Sequence, residues 1–259
     1  MGDTLAPWND PRLLFPDRLD CGYVLVLPGV GGGDSPVDSG IVVGLKDANV
    51  RSAIELYDWT DGQFRWVENL RDLDHNRAEA RKIAAKILLY QERYPGRPVH
   101  VIGYSGGGGV AVLALEALPP GQKITGAILL APTLAFDYNL QRAMSHTERG
   151  LLNFYSPLDA LVLTTLATAA GTTDGRHTLS AGAIGFQVPK SLDRAQRETY
   201  QQRLFQQAYR FDMLGAGHLG GHFGWANPTF IARHVAPLVD VSPDEPLHVA
   251  AREVDRRAR

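Results

Sequence analysis

Short, largely apolar runs that alternate with longer segments of helical spacing constrain this chain more than any other feature. The runs are Tyr23 to Leu27, VRSAIELYDW from Val50, Val99 to Tyr104, Ile124 to Leu130 and Leu151 to Tyr155. Continuous apolar runs of this length, closed by Gly or Pro, suit strands buried on both faces, as in parallel sheets. Between them lie SPVDSGIVVGLKDAN, read as a helix despite Gly40 and Gly44, and Asn76 to Tyr94. In the latter, Ala80, Ile83, Ala84, Ile87, Leu88 and Tyr90 share one helical face and Pro95-Gly96 ends the run. The Ala-rich stretch Val110 to Leu118, stopped by Pro119 and Pro120, reads as a buried helix. The alternation predicts an α/β fold: a mostly parallel twisted sheet with helices on both faces, and ligands at the carboxyl ends of its strands.

The chain has 259 residues, enough for one large core. The reading divides it into a Pro- and Asp-rich segment 1–20, a domain over 21–240 and a charged tail over 241–259. A net charge of -2 gives no long-range pull toward nucleic acid or anionic lipid, so the expected partner is a small molecule; oligomeric state is left open. The first twenty residues have prolines and acids where a signal peptide needs a basic start and an apolar run, which points to a cytoplasmic location. No run is long and apolar enough to span a membrane. Cys21, the lone cysteine, is read as a small buried hydrophobe. Leu161 to Gln187 is read as a stretch of uncertain structure able to form a flap, and Ser191 to Tyr209 as a solvated helix. There is only room for about 20 residues between the strands starting at Ile124 and Leu151, so no large lid domain is expected there.

The sharpest chemical signal is Gly103-Tyr104-Ser105-Gly106-Gly107, placed directly after a strand and directly before a helix. A tight turn at this junction lifts a serine hydroxyl above the sheet and needs small residues on both flanks. The helix behind it offers unpaired N–H groups to a developing oxyanion. A phosphate-binding loop is the competing reading of Gly106 to Gly109. No GK[ST] follows, however, and the dinucleotide glycine spacing is absent from this turn.

On these residues the sequence resembles the α/β-hydrolase superfamily over roughly Tyr23 to Leu238, with the serine turn as its specific motif. The resemblance implies an eight-stranded fold and the chain order nucleophile, acid, histidine. The family's histidine sits in a Gly-His loop before the last helix. Gly221-His222-Phe223, followed by Pro228 to Leu238, fits, so His222 is the candidate base and His218 the alternative. A zinc site made by the two is disfavoured, because Gly220 and Gly221 break a helix between them and no HExxH glutamate is present; neither metal nor cofactor is expected. The acid is assigned to Asp159 in NFYSPLDAL, with Asp137 and then Asp212 as alternatives; Ser156 or Asp159 capping a helix from Ala160 is the structural reading. Oxyanion donors are expected at the N–H of Gly106 and of Val30, or Gly31, in PGVGGGDS. This loop carries Pro28-Gly29 where many relatives carry His-Gly.

The implied activity is hydrolysis of a carboxylic ester through an acyl-enzyme, with Tyr104, Phe223 and Trp225 beside the substrate and Leu134, Phe136 and Phe186 as further apolar neighbours. An amidase or peptidase using the same residues, a non-catalytic binding protein of this fold, and a nucleotide-binding α/β protein are the alternatives.

Overall fold

The computed structural model describes residues 10–33, 35–62, 65–159 and 171–239, together with Ala251 and Val254. The first nine residues, the segment 160–170 and the rest of the expected tail lie outside the described residues.

Six strands form one parallel sheet in the order β2-β1-β3-β4-β5-β6. They are β1 (Tyr23–Leu27), β2 (Ala53–Leu56), β3 (Val99–Tyr104), β4 (Gly126–Leu130), β5 (Leu151–Tyr155) and β6 (Leu204–Ala208). The expected bounds of β1, β3 and β5 coincide with those found, whereas β2 and β4 are shorter than their apolar runs. The resemblance implied eight strands; the described residues form six.

Alternation along each strand distributes side chains between two cores. Val24, Val26, Ile102, Ile128 and Leu152 face helix α1 (Ser39–Asp47) and the C-terminal helical run. Tyr23, Leu25, Leu27, Val101 and Leu129 face α2 (Leu73–Arg93) and α3 (Gly106–Glu116) on the other side. Both faces being covered explains why β1, β3 and β4 carry no exposed position, and hence why their sequences do not alternate. Register also places the site. Leu27 pairs with Gly103 and Tyr104 with Leu130, so the turns after β1, β3 and β4 leave the sheet side by side at its carboxyl edge.

Three expectations are corrected. Ser191 to Tyr209 is not one solvated helix: helix α4 (Arg194–Arg203) is capped by Asp193 in a capping box, and the chain then enters β6 as a parallel edge strand on β5. β6 is only partly buried and reads LFQQA, so neither continuous nor alternating hydrophobicity marked it. Residues 171–187 are packed down rather than flap-like. Thr173 N–H donates to the Thr133 carbonyl and Ala181 N–H to that of Leu134, and Ala181–Ile184 forms a helical turn over β5. Cys21 is exposed rather than buried, because it precedes β1.

The C-terminal run, Pro228–Phe230 followed by the π-helical turn Ile231–Val235 and by Ala236–Val239, lies across α1. The glycines of α1 permit this approach. A Cβ on Gly44 would lie 2.5 Å from the Pro228 carbonyl oxygen and 2.6 Å from the Ile231 Cβ. In an open helix Gly→Ala stabilises by about 1 kcal/mol. At this contact the sign reverses: Gly44→Ala should cost about 1–3 kcal/mol by overpacking, measured as a lowered urea midpoint.

Candidate active site

Ser105 occupies the junction of β3 and α3 with φ 52° and ψ -120°. A non-glycine residue is strained there, at a cost of about 1–3 kcal/mol, and stays only where its surroundings hold it. They do so from both sides: Ser105 N–H donates to the Leu130 carbonyl at 2.9 Å, and the Ser105 carbonyl accepts from Gly108 N–H and Thr133 N–H. The flanking glycines are required by contact. A Cβ on Gly103 would lie 2.5 Å from the Gly107 carbonyl oxygen, and one on Gly107 would lie 2.3 Å from that of Pro28.

Above this turn His222 Nε2 lies 3.0 Å from Ser105 Oγ, and His222 Nδ1 lies 2.7 Å from Asp159 Oδ2. All three side chains are buried. Asp159 sits in a 3-10 turn (Pro157–Asp159) directly after β5, and burial raises its carboxyl pKa, opposed by the hydrogen bond from His222. Its other oxygen has no partner in the described structure. Ser156 donates its hydroxyl to the Gly220 carbonyl at 2.6 Å, which fastens the Asp159 turn to the histidine loop, and accepts the Leu158 N–H at 3.2 Å; the helix expected from Ala160 lies outside the described residues.

The alternatives are engaged elsewhere. Asp137 pairs with Arg176, and Asp212 with Arg210 at 2.7 Å, both at the surface. His218 is buried among Tyr209, Trp225 and Phe230, and its Nδ1 accepts the Gly220 N–H at 2.9 Å. It shapes the loop leading to His222. No hydrogen bond joins it to Ser105.

Of the three residues expected beside a substrate, only Phe223 is exposed. Trp225 is fully buried, with its ring against His218, Phe154 and Phe230. Tyr104 is buried too; its hydroxyl donates to the His222 carbonyl at 3.3 Å and its ring lies 5.1 Å from the imidazole, so it supports the histidine loop from below. Leu134 and Phe186 are core residues.

The loop after β1 stands against the serine turn: a Cβ on Gly106 would lie 2.7 Å from Val30 Cγ1. As the first residue of α3, Gly106 has no helical partner for its N–H. The Gly29 carbonyl is bound by Gly32 N–H, so the Val30 N–H of the same trans peptide points the other way. The Val30 carbonyl accepts from Asn69 Nδ2 at 3.1 Å, which turns the Gly31 N–H away from Asn69 in the same manner. Two further residues, given no part in the site by the sequence reading, fix this loop beside Asn69. Trp59 Nε1 donates to the Pro28 carbonyl at 2.7 Å, and buried Asp38 accepts the Gly29 N–H at 2.7 Å. Burial raises the pKa of Asp38, against the Gly29 hydrogen bond and the nearby His222. Thr133, also missed, places its hydroxyl 3.4 Å from Ser105 Oγ. None of the three belongs to a recognisable motif: Trp59 follows β2, Asp38 lies just before α1 and Thr133 follows β4, and only the fold brings them together.

A parallel sheet in this order, a strained serine turn between its third strand and the following helix, and an acid and a histidine on later loops define an α/β-hydrolase fold. No family model matches the sequence, and no curated protein matches it. Among solved structures the chain is similar to a dienelactone hydrolase-like promiscuous phosphotriesterase from metagenomic libraries, at 14% identity over 91% of this chain and 83% of that one, with a TM-score of 0.42. It is also similar to a CIB-like hydrolase of Thermoplasma acidophilum (15% identity, 91% and 86% covered, TM-score 0.40). A lipase-esterase related protein of Clostridium acetobutylicum is a third (11% identity, 90% and 93% covered, TM-score 0.35). Among the described residues no helix is long and apolar enough to cross a membrane.

Burial also sets the acid response of the molecule. It lowers the pKa of His218 to about 4, with His234 adding to the effect. On β3 it lowers that of His100 to about 3, helped by Arg149, and neither His100 nitrogen has a hydrogen-bond partner in the described structure. In the unfolded chain both titrate near 6.5. Below that pH the unfolded chain therefore binds more protons, and stability falls with pH down to about 4 for His218 and about 3 for His100. The urea midpoint should drop between pH 7.5 and pH 5. The drop should be smaller in His100→Met; an equal drop would place the acid sensitivity elsewhere.

Proposed function

We propose that the protein is a serine hydrolase that cleaves carboxylic esters through an acyl-enzyme. The observation that carries this reading is the continuous chain Ser105 Oγ, His222 Nε2, His222 Nδ1, Asp159 Oδ2, with links of 3.0 and 2.7 Å, built on a strained turn. A serine hydroxyl is a weak nucleophile until a base accepts its proton, and His222 is within reach of it. Ser105 Oγ attacks the ester carbonyl while its proton passes to His222 Nε2. Asp159 holds the Nδ1–H tautomer and stabilises the imidazolium. Negative charge develops on the carbonyl oxygen, for which the N–H groups of Gly106 and of Val30 or Gly31 are the available donors. The imidazolium then protonates the departing alkoxide, and water activated by the same imidazole resolves the acyl-enzyme. Esters are preferred in this reading because an ester carbonyl is less stabilised by resonance than an amide carbonyl and expels an alkoxide more readily than an amide expels an unprotonated nitrogen anion.

A fluorophosphonate should add one adduct to the wild type, seen by intact mass, and none to Ser105→Ala. Hydrolysis of p-nitrophenyl acetate should fall by roughly 10³-fold or more in Ser105→Ala and His222→Ala, and on the order of 10⁴-fold in Asp159→Asn, where the wrong tautomer is favoured. Labelling that persists in Ser105→Ala would end the proposal.

Within the same reading Asp38 is a positioning residue for the oxyanion loop. Asp38→Ala, which removes the acceptor for Gly29 N–H, should lower kcat about 10-fold or more with KM little changed, on the scale of one weakened oxyanion donor. Asp38→Asn keeps an acceptor and should recover most of that loss. Equal kcat in wild type and Asp38→Ala would remove Asp38 from the mechanism.

A further inference from the structure

The serine turn accounts for only half of the glycine run from Gly106 to Gly109. Gly106 stands against Val30 and Gly107 against the carbonyls of Leu27 and Pro28, but Gly108 and Gly109 meet a different segment. A Cβ on Gly108 would lie 2.7 Å from Pro132 Cβ, and one on Gly109 would lie 2.5 Å from Thr173 Cβ. Both glycines therefore let the chain leaving β4, Ala131-Pro132-Thr133, and the Thr173 strand of backbone bound to it close onto α3. Ala131 has φ 45°, a left-handed conformation that a residue with a Cβ keeps only where its surroundings hold it. Those surroundings are tight: a Cβ on Gly182 would lie 2.4 Å from the Ala131 carbonyl carbon.

What this strained corner delivers is a hydroxyl. Thr133 N–H donates to the Ser105 carbonyl at 2.9 Å, and the Thr133 carbonyl accepts from Thr173 N–H at 2.8 Å and from Thr173 Oγ1 at 2.7 Å. With its backbone pinned on both sides, Thr133 is buried, and its Oγ1 lies 3.4 Å from Ser105 Oγ, its one hydrogen-bond contact among the described residues. The Ser105 proton is directed at His222 Nε2, so in this pair Thr133 is the donor and Ser105 Oγ the acceptor. In the sheet β4 lies on the side of β3 opposite to β1, so Thr133 reaches Oγ from the flank opposite the loop of Val30. The charge it can meet is therefore that on Oγ, rather than that on a carbonyl oxygen turned toward Val30.

We infer that Thr133 is a further catalytic residue, whose hydroxyl donates a hydrogen bond to Ser105 Oγ while that oxygen carries negative charge, both in the attack on the ester and in the release of the acid. The inference rests on the serine-hydrolase reading. In the attack a bond forms between Oγ and the acyl carbon, the carbonyl π pair moves onto its oxygen and the serine proton goes to His222 Nε2. In the release, water has added to the acyl carbon, the bond from that carbon to Oγ breaks, the electron pair returns to Oγ and His222 gives back the proton. The Thr133 proton is transferred in neither step. An O–H···O bond settles at about 2.5–3.0 Å, so the contact at 3.4 Å is slack while Ser105 is neutral, and a charged acceptor shortens such a bond. An interaction that strengthens only as charge develops lowers the barrier instead of stabilising the resting enzyme.

The test uses Thr133→Val, which keeps the shape and the backbone hydrogen bonds, and Thr133→Ser, which keeps the hydroxyl. On the scale of a hydrogen bond to a charged group, kcat for p-nitrophenyl acetate should fall roughly ten- to hundredfold in Thr133→Val and return to within about threefold of the wild type in Thr133→Ser. Should the valine variant fail to fold, Thr133→Ala, which adds no bulk, carries the same comparison. The downfield proton resonance of His222 Nδ1–H is read alongside and should be the same in Thr133→Val as in the wild type, because the hydroxyl acts on Oγ and not on the imidazole. Unchanged kcat in Thr133→Val, equal losses in Thr133→Val and Thr133→Ser, or a lost Nδ1–H resonance in Thr133→Val overturns the inference, the last by making the role one of packing. In each of those cases a fluorophosphonate adduct on wild-type Ser105 leaves the hydrolase reading standing. No adduct and no hydrolysis by the wild type removes both.

Discussion

The structure depends on the close approach of the serine turn to the end of β1. Gly107 lies so near the carbonyls of Leu27 and Pro28 that no side chain fits between them, and this contact sets how high Ser105 stands above the sheet. A larger residue would push α3 away from β1. The Ser105 backbone could then relax, and the gap between the two turns would open. Strain at Ser105 is thus sustained by packing beneath it, and the same packing brings Val30 against Gly106.

The rest of the site is arranged around that fixed point by polar links between loops. Ser156 joins the Asp159 turn to Gly220, His218 holds the Gly220 N–H, and Tyr104 holds the carbonyl of His222 itself. The imidazole is therefore oriented by three side chains that stand outside the chain Ser105, His222, Asp159. On the opposite side Trp59, Asn69 and Asp38 perform the same service for the loop after β1. Under the proposed mechanism, positioning of this sort would let a hydroxyl, an imidazole and a set of N–H donors act together without rearranging.

Much of this was legible in the sequence because it rests on local rules. The bounds of β1, β3 and β5 followed from continuous hydrophobicity, and the serine turn from glycines at a strand-helix junction. Ser105, His222 and Asp159 could be nominated from the order of their loops, and the structure brings them together. What escaped depends on tertiary neighbours. β6 is an edge strand with glutamines on a half-covered face, so it carries no hydrophobic period. Trp225 follows His222 by three residues, yet the 3-10 turn His222–Ala226 directs it into the core beneath the loop while Phe223 stays outside. Asp38, just before α1, and Thr133, just after β4, reach the site from segments that have no motif, through tertiary packing.

The hydrogen bond between His222 and Ser105 spans 117 positions of chain. His222 arrives on a segment far along the chain from the serine turn, held by a helical run that settles on the glycines of α1. Until that closure occurs, Ser105 has no imidazole beside it. A chain in which that run had not yet settled would carry the strained Ser105 turn without its imidazole, so the contact between the two reports that β3 and the C-terminal helical run have come together.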